Sequence, residues 1–223
     1  PLPIEAFAEV KEIHNINFQY KNISLPRESL KVRLLREAIT YARLRNNYRL
    51  TNNPTILTNW RIPKYSFKAK LLYYLAQIYG CVLGKSYKSI INAEKRLLSK
   101  VSSTKIDSFV NDLNKLKPTT IFITHQRVVG LLPLCLAAEK LGIKTISAIF
   151  SWDNLPKARL NVRTSKYLVW SNWMKNEMKT YYPEIDSNQV EVVGTPQFEF
   201  YFDSQRTLDR KVFAKTYGLD YSK

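Results

Sequence analysis

From residue 119 onward, short β-branched runs alternate with segments of helical periodicity, and that alternation restricts the fold more than anything else in the chain. "TTIFIT" (119–124), "KTISAIF" (144–150), "SKYLVWS" (165–171) and "QVEVVGT" (189–195) read as strands. "VVGLLPLCLAAEKLG" (128–142) reads as a helix that stops at Gly142, with a kink expected at Pro133. "NWMKNEMKTYY" (172–182) reads as another, broken by Pro183, and a last helix is expected near 206–217. Strands joined by helices pair in parallel through right-handed crossovers. The run from Thr145 to Phe150 is almost continuously apolar, which suits a strand covered on both faces. The expected fold is therefore α/β, a Rossmann-like parallel sheet flanked by helices.

Residues 1–118 are written differently. "VKEIHNINFQY" reads as a strand at about 10–20, and His14 inside it reads as structural. After Pro26, the residues Leu30, Val32, Leu34, Leu35, Ala38, Ile39, Ala42 and Leu44 recur at helical spacing. Further helices are expected at about 65–83, 86–101 and 104–116, the last ended by Pro118, while "PTILTNW" (54–60) fits helix and strand equally. This largely helical, basic half is expected to form a layer or insertion at about 26–116, packed on a core at about 117–203. A chain of 223 residues, 45% hydrophobic and 13% aromatic, can bury a core of that size.

No run approaches ~18 consecutive apolar residues, so no transmembrane helix is expected. "PLPIEAFAEV" lacks the charged and apolar regions of a signal peptide, and it lacks an initiator Met, which points to a processed chain or a fragment. Cys81 and Cys135 sit in apolar runs and read as small core side chains, which suits a reducing compartment.

The net charge of +17 is unevenly spread. Residues 1–118 hold 21 Lys/Arg against 8 Asp/Glu, and residues 119–223 hold 14 against 10. Between Glu37 and Glu94 there is no acid but nine bases: Arg43, Arg45, Arg49, Arg61, Lys64, Lys68, Lys70, Lys85 and Lys88. Such a stretch attracts phosphate-rich partners, whether nucleic acid, anionic lipid or a nucleotide-linked substrate. In "WRIPKYSFKAKLLYYLAQIYG" (60–80), Arg61, Lys64, Lys68 and Lys70 cluster beside Trp60, Tyr65 and Phe67. This suits a helix lying on an anionic membrane, and equally a core helix with a basic first turn.

In open α/β sheets, ligands sit outside the carboxyl ends of the strands. Here those ends offer "THQR" (124–127), "SWDN" (151–154), "WSNW" (170–173) and "GTPQFE" (194–199). His125 can exchange a proton near neutral pH, or can simply bond a backbone group. Asp153 and Asn154 can orient a hydroxyl, or can turn the chain and cap a helix starting at Leu155-Pro156. Trp152 can stack on a sugar or belong to the core. Lys157, Arg159 and Arg163 form a basic loop or a solvated face, and Gly194-Thr195 makes a tight turn that could approach a ligand. No G-x-G-x-x-G, P-loop, zinc-ligand spacing or G-x-S-x-G is present.

"FITHQR", "LGIKTISAIFSWDN", "YLVWSNWMKNEMKTYYPE" and "VEVVGTPQFEFY" together resemble the N-terminal domain of GT-B-fold glycosyltransferases of bacterial surface-polysaccharide assembly. The teichoic-acid glycerophosphotransferases are more distantly similar. The resemblance covers about 117–203, and the helical first half carries no part of it. It implies a single acceptor-side domain over 1–203, with 204–223 leading into a donor-binding second domain beyond this chain. It implies His125 or Asp153 as base for an acceptor hydroxyl, with Gln126, Arg127, Trp152, Asn154, Gly194 and Thr195 lining the cleft. No metal or cofactor is expected in this half, and a nucleotide-sugar donor is expected for the whole enzyme. The acceptor would be a glycan or a lipid-linked glycan. The protein would lie in the cytoplasm, peripherally on the inner membrane face, with Arg61, Lys64, Lys68 and Lys70 touching membrane or polyanion. The half alone is expected to be inactive. A polyol-phosphate transferase or a nucleotide-sugar epimerase of the same architecture is the nearest alternative. A non-catalytic basic module for anionic lipid or nucleic acid is another, although no base-reading motif favours nucleic acid.

Overall fold

A computed structural model describes Ile23, residues 28–203 and residues 208–220. The strand expected at 10–20, with His14, lies outside the described residues. The helical layer comprises α1 (Leu30–Thr51), α2 (Phe67–Leu83), α3 (Tyr87–Leu98) and α4 (Ser103–Leu116). The sheet half comprises β1 (Thr120–Ile123), α5 (Leu132–Lys140), β2 (Lys144–Ala148), β3 (Lys166–Val169), α6 (Asn172–Tyr181) and β4 (Val190–Val192). A last helix, α7, spans Arg210–Tyr217.

Serines start the helices. Ser29, Ser66, Ser86 and Ser171 each accept an N–H from three residues on, at 3.3, 3.5, 3.1 and 3.4 Å. Such a bond satisfies one donor that the first turn would otherwise leave unpaired. α1 ends at Asn52 and α4 at Lys117, both in the left-handed region. "PTILTN" folds as a 3-10 turn over Pro54–Asn59. Pro133 does not kink its helix. It stands in the first turn of α5, after a 3-10 turn at Val129–Leu131, where a missing N–H costs nothing.

The four strands pair in the order β1-β2-β3-β4, all parallel. Ile123, Ser147, Tyr167 and Val190 fall in one row across the sheet, and all four are buried. Met174 and Met178 of α6 pack on Tyr167 and Val169, and Cys135 of α5 packs on Ile123. Burial pushes the Cys135 thiol up to about 12, which leaves it inert as a nucleophile.

The opposite face differs from the expectation of two covered faces. Phe122, Phe150 and Val193 are 56%, 59% and 56% exposed, and Ile146 and Ala148 are half-buried. The cause is the strand order. Strands added in sequence order, each by a right-handed crossover, bring every connection to the same side.

α1 is the centre of the helical layer. Ala38 and Ala42 are fully buried in one cluster with Ala76 of α2 and with Ile90 and Ala93 of α3. Gly80 lets the two backbones approach: a Cβ there would lie 2.7 Å from the Ala38 carbonyl oxygen. Leu44 of α1 and Ile56 join the sheet-side core, so the two halves share one interior. An ionic cluster joins them as well. Arg43, 2% exposed, donates to Glu94 at 2.5 and 2.9 Å and to Glu184 at 2.6 Å. Its guanidinium lies over the Tyr182 ring, 4.8 Å from the centroid, and Arg163 reaches the same two carboxylates.

Candidate functional site

The loop after β1 meets the helical layer at a cavity of about 730 Å³. His125 and Arg127 enter it from the strand end, Arg33, Arg36 and Glu37 from α1, and Arg159 from the loop after β2. Asn161 fixes the strand-end loop: its side-chain amide donates to the Arg127 carbonyl at 2.7 Å, and its N–H donates to the Gln126 carbonyl at 3.3 Å. Tyr73 of α2 completes one wall.

Two of the four arginines are neutralised. Arg36 makes a two-pronged pair with Glu28 at 2.9 and 2.8 Å and a third bond to Glu37 at 2.6 Å. Arg159 reaches the other Glu37 oxygen at 3.2 Å. Burial alone would raise the Glu37 pKa, but the charges of Arg159 and Arg36 outweigh it and hold the carboxyl below its ordinary range. Four arginines against two glutamates in the lining leave a surplus of two positive charges. That surplus resides on Arg33 and Arg127. The hydroxyl oxygens of Tyr65 and Tyr73, favouring the charged guanidinium, raise the Arg33 pKa against partial burial. Arg127 is half-buried, and its charge helps to keep Asp153 ionised. A planar guanidinium with unspent donors is the group best matched to phosphate or carboxylate oxygens.

His125 and Asp153 do not share this cavity. Asp153 pairs with Lys157, and that bond is the main reason its carboxyl sits below its ordinary range. With Trp152 and Lys157 it lines a separate cavity of about 240 Å³, whose far side is Asn59, Glu177 and Tyr181. Nor do Asp153 and Asn154 cap a helix at Leu155-Pro156. Residues 152–158 run as successive turns, drawn into the core by Leu155 and Ala158, with Ala158 at φ 55. Trp152 is exposed, so it is no core residue. Asn154 is buried, and its N–H donates to the Ser151 carbonyl at 3.0 Å. Gln126 is buried too, and its side-chain oxygen has no partner among the described residues.

Gly194, at φ 73, and Thr195 end β4 and line neither cavity. A Cβ on Gly194 would touch nothing within 4 Å, so its backbone angle rather than a close approach calls for glycine. Thr195 accepts the Gln197 N–H at 3.3 Å and starts a 3-10 turn. Arg61, Lys64, Lys68 and Lys70 stand exposed around the start of α2. Among the described residues no group of three or more His, Cys, Asp or Glu side chains gathers where a metal could bind.

Glu28, Arg33, Arg36, Glu37, Tyr73 and Asn161 are polar lining residues that strand-end reasoning does not reach. The spacing of Arg33, Arg36 and Glu37, three and four apart in an apolar helix, is the signal that marks one charged helix face. The fold and cavity together define an open parallel α/β protein with a basic, histidine-bearing pocket at the carboxyl end of its sheet. No protein-family model, curated protein or solved structure matches the chain.

Proposed function

We propose that the chain is the acceptor-side half of a nucleotide-sugar-dependent glycosyltransferase that works peripherally on the inner membrane face. The observation that carries this reading is the cavity where His125 stands among Arg33, Arg127 and two neutralised arginines. A lipid-linked acceptor brings phosphate groups, and the surplus guanidinium charge suits them. His125 takes the proton of the acceptor hydroxyl as that oxygen attacks the sugar carbon and the nucleoside diphosphate leaves. Asp153, committed to Lys157, is the weaker choice of base. No described helix is long and apolar enough to cross a membrane, so any attachment by these helices is at the surface.

The test is turnover with a panel of nucleotide sugars and a lipid-linked acceptor, the chain being supplied together with its donor-binding half. His125→Ala is expected to lose about 100-fold or more in kcat, whereas Asp153→Asn keeps most of it. Full turnover by His125→Ala removes the assignment.

A further inference from the structure

We propose that the outward face of α2 docks on the surface of an anionic lipid bilayer. The inward face of this helix, Tyr73, Ala76, Gly80 and Leu83, is buried against α1. A helix so packed would ordinarily turn a polar face to water. α2 instead turns out Phe67, Leu71, Tyr74, Leu75, Ile78 and Val82, all exposed, with Phe67 at 80% and Ile78 at 66%. At about 100° per residue these six positions form one continuous stripe along the helix, with Lys70 on one side and Lys68 on the other. Exposed apolar surface that is contiguous and rimmed by charge marks a binding face rather than chance exposure.

The rim selects the partner. Lys68 and Lys70 flank the stripe, exposed Arg61 and Lys64 precede the helix and exposed Lys85 follows it, and the sequence carries no acid from 38 to 93. A second copy would bring the same lysines face to face. A bilayer offers acyl chains to the stripe and phosphate headgroups to its rim, as interfacial helices require. The helix also reaches the cavity: Tyr65, 79% exposed just before α2, helps to hold the Arg33 pKa up, and Tyr73, on the inward face of α2, lines the pocket. Docking on α2 would therefore anchor to the bilayer the helix that walls the His125 cavity, near which a lipid-linked acceptor presents its phosphates. This rests on the peripheral placement proposed above, but not on the chemistry of transfer.

The experiment is flotation of the 223-residue chain with phosphatidylcholine vesicles, with and without phosphatidylglycerol. Binding is expected to the anionic vesicles alone and to fall as salt rises. The triple variant Lys64→Ala, Lys68→Ala, Lys70→Ala is expected to partition about 100-fold less, at roughly fivefold per lysine. Leu71→Asp with Ile78→Asp is expected to abolish binding while leaving the circular dichroism unchanged, since both side chains lie outside the core. If that variant loses its native spectrum, the lysine variant decides alone. Failure of the intact chain to bind anionic vesicles overturns the proposal. So does undiminished binding by the lysine variant, or a dimer of the chain that Ile78→Asp dissolves. A chain that binds vesicles and whose His125→Ala variant keeps full turnover would leave this surface standing and remove only the transferase assignment.

Discussion

Arg43 and Glu37 carry charge into the interior of a helix whose other inward residues are apolar except Thr40 and Asn47. Neither is tolerable there alone, because removing one partner of a buried pair strands the other. Each is met by groups from the sheet half: Arg43 by Glu184, Glu37 by Arg159. The pairs therefore fix how the two halves sit, and they set a pH dependence. Burial pushes the Glu184 pKa up, but Arg43 and Arg163 outweigh it and bring it below the ordinary value, as Arg159 and Arg36 do for Glu37. In that range the unfolded chain binds protons that the folded chain refuses. The stability these two carboxylates supply is thus complete above the ordinary carboxylate range and is lost as pH falls below it through their depressed pKa values. Glu177, raised by burial alone, opposes this with a single group. Urea denaturation across that window should show the midpoint falling with pH, and less steeply in Glu184→Gln. A midpoint that stays level or rises on acidification would contradict the account.

At the scale of elements, the α1–α2 contact depends on Gly80. A methyl group there meets the Ala38 backbone carbonyl, which cannot rotate aside. Gly80→Ala gains helix propensity but overpacks the interface, and a net loss of about 1–3 kcal/mol in unfolding free energy is expected. Equal or greater stability would show that the helices can part without cost. Most elements were legible in the sequence because period and punctuation agree. The strands at 120–123, 144–148 and 166–169 lie within the β-branched runs, and the helices stop close to the glycines and prolines that end them. The kink at Pro133 and the helix cap at Asp153-Asn154 did not form, for a reason that local sequence does not carry, although Asp153-Asn154 does turn the chain. Pro133 fits a first turn as readily as it fits a kink, and only the preceding 3-10 turn decides. Asp153-Asn154 before Pro156 has the chemistry of a helix start, yet burial of Leu155 and Ala158 holds the segment in turns.

At the scale of the molecule, the cavity exists only where the helical layer meets the sheet. Strand-end reasoning reaches His125 and Arg127, and it groups Asp153 with them because β1 and β2 are neighbours. The layer intervenes at the first: Arg33, Arg36 and Glu37 of α1 enclose that strand end, while Asn59 of the layer and Tyr181 of α6 line the cavity at the second. No motif within 119–203 announces that partition, since it depends on how residues 28–67 pack. We propose that this cavity binds a phosphate-bearing ligand through Arg33 and Arg127, which pair with neither lining glutamate. Calorimetric titration of the chain with farnesyl pyrophosphate tests it most directly, with neutral oligosaccharide as the control. Saturable 1:1 binding is predicted, weakened about tenfold or more by Arg127→Ala, as for loss of a charge-assisted hydrogen bond, and unchanged by Lys157→Ala. Absence of saturable binding, or equal affinity in Arg127→Ala, would contradict the account.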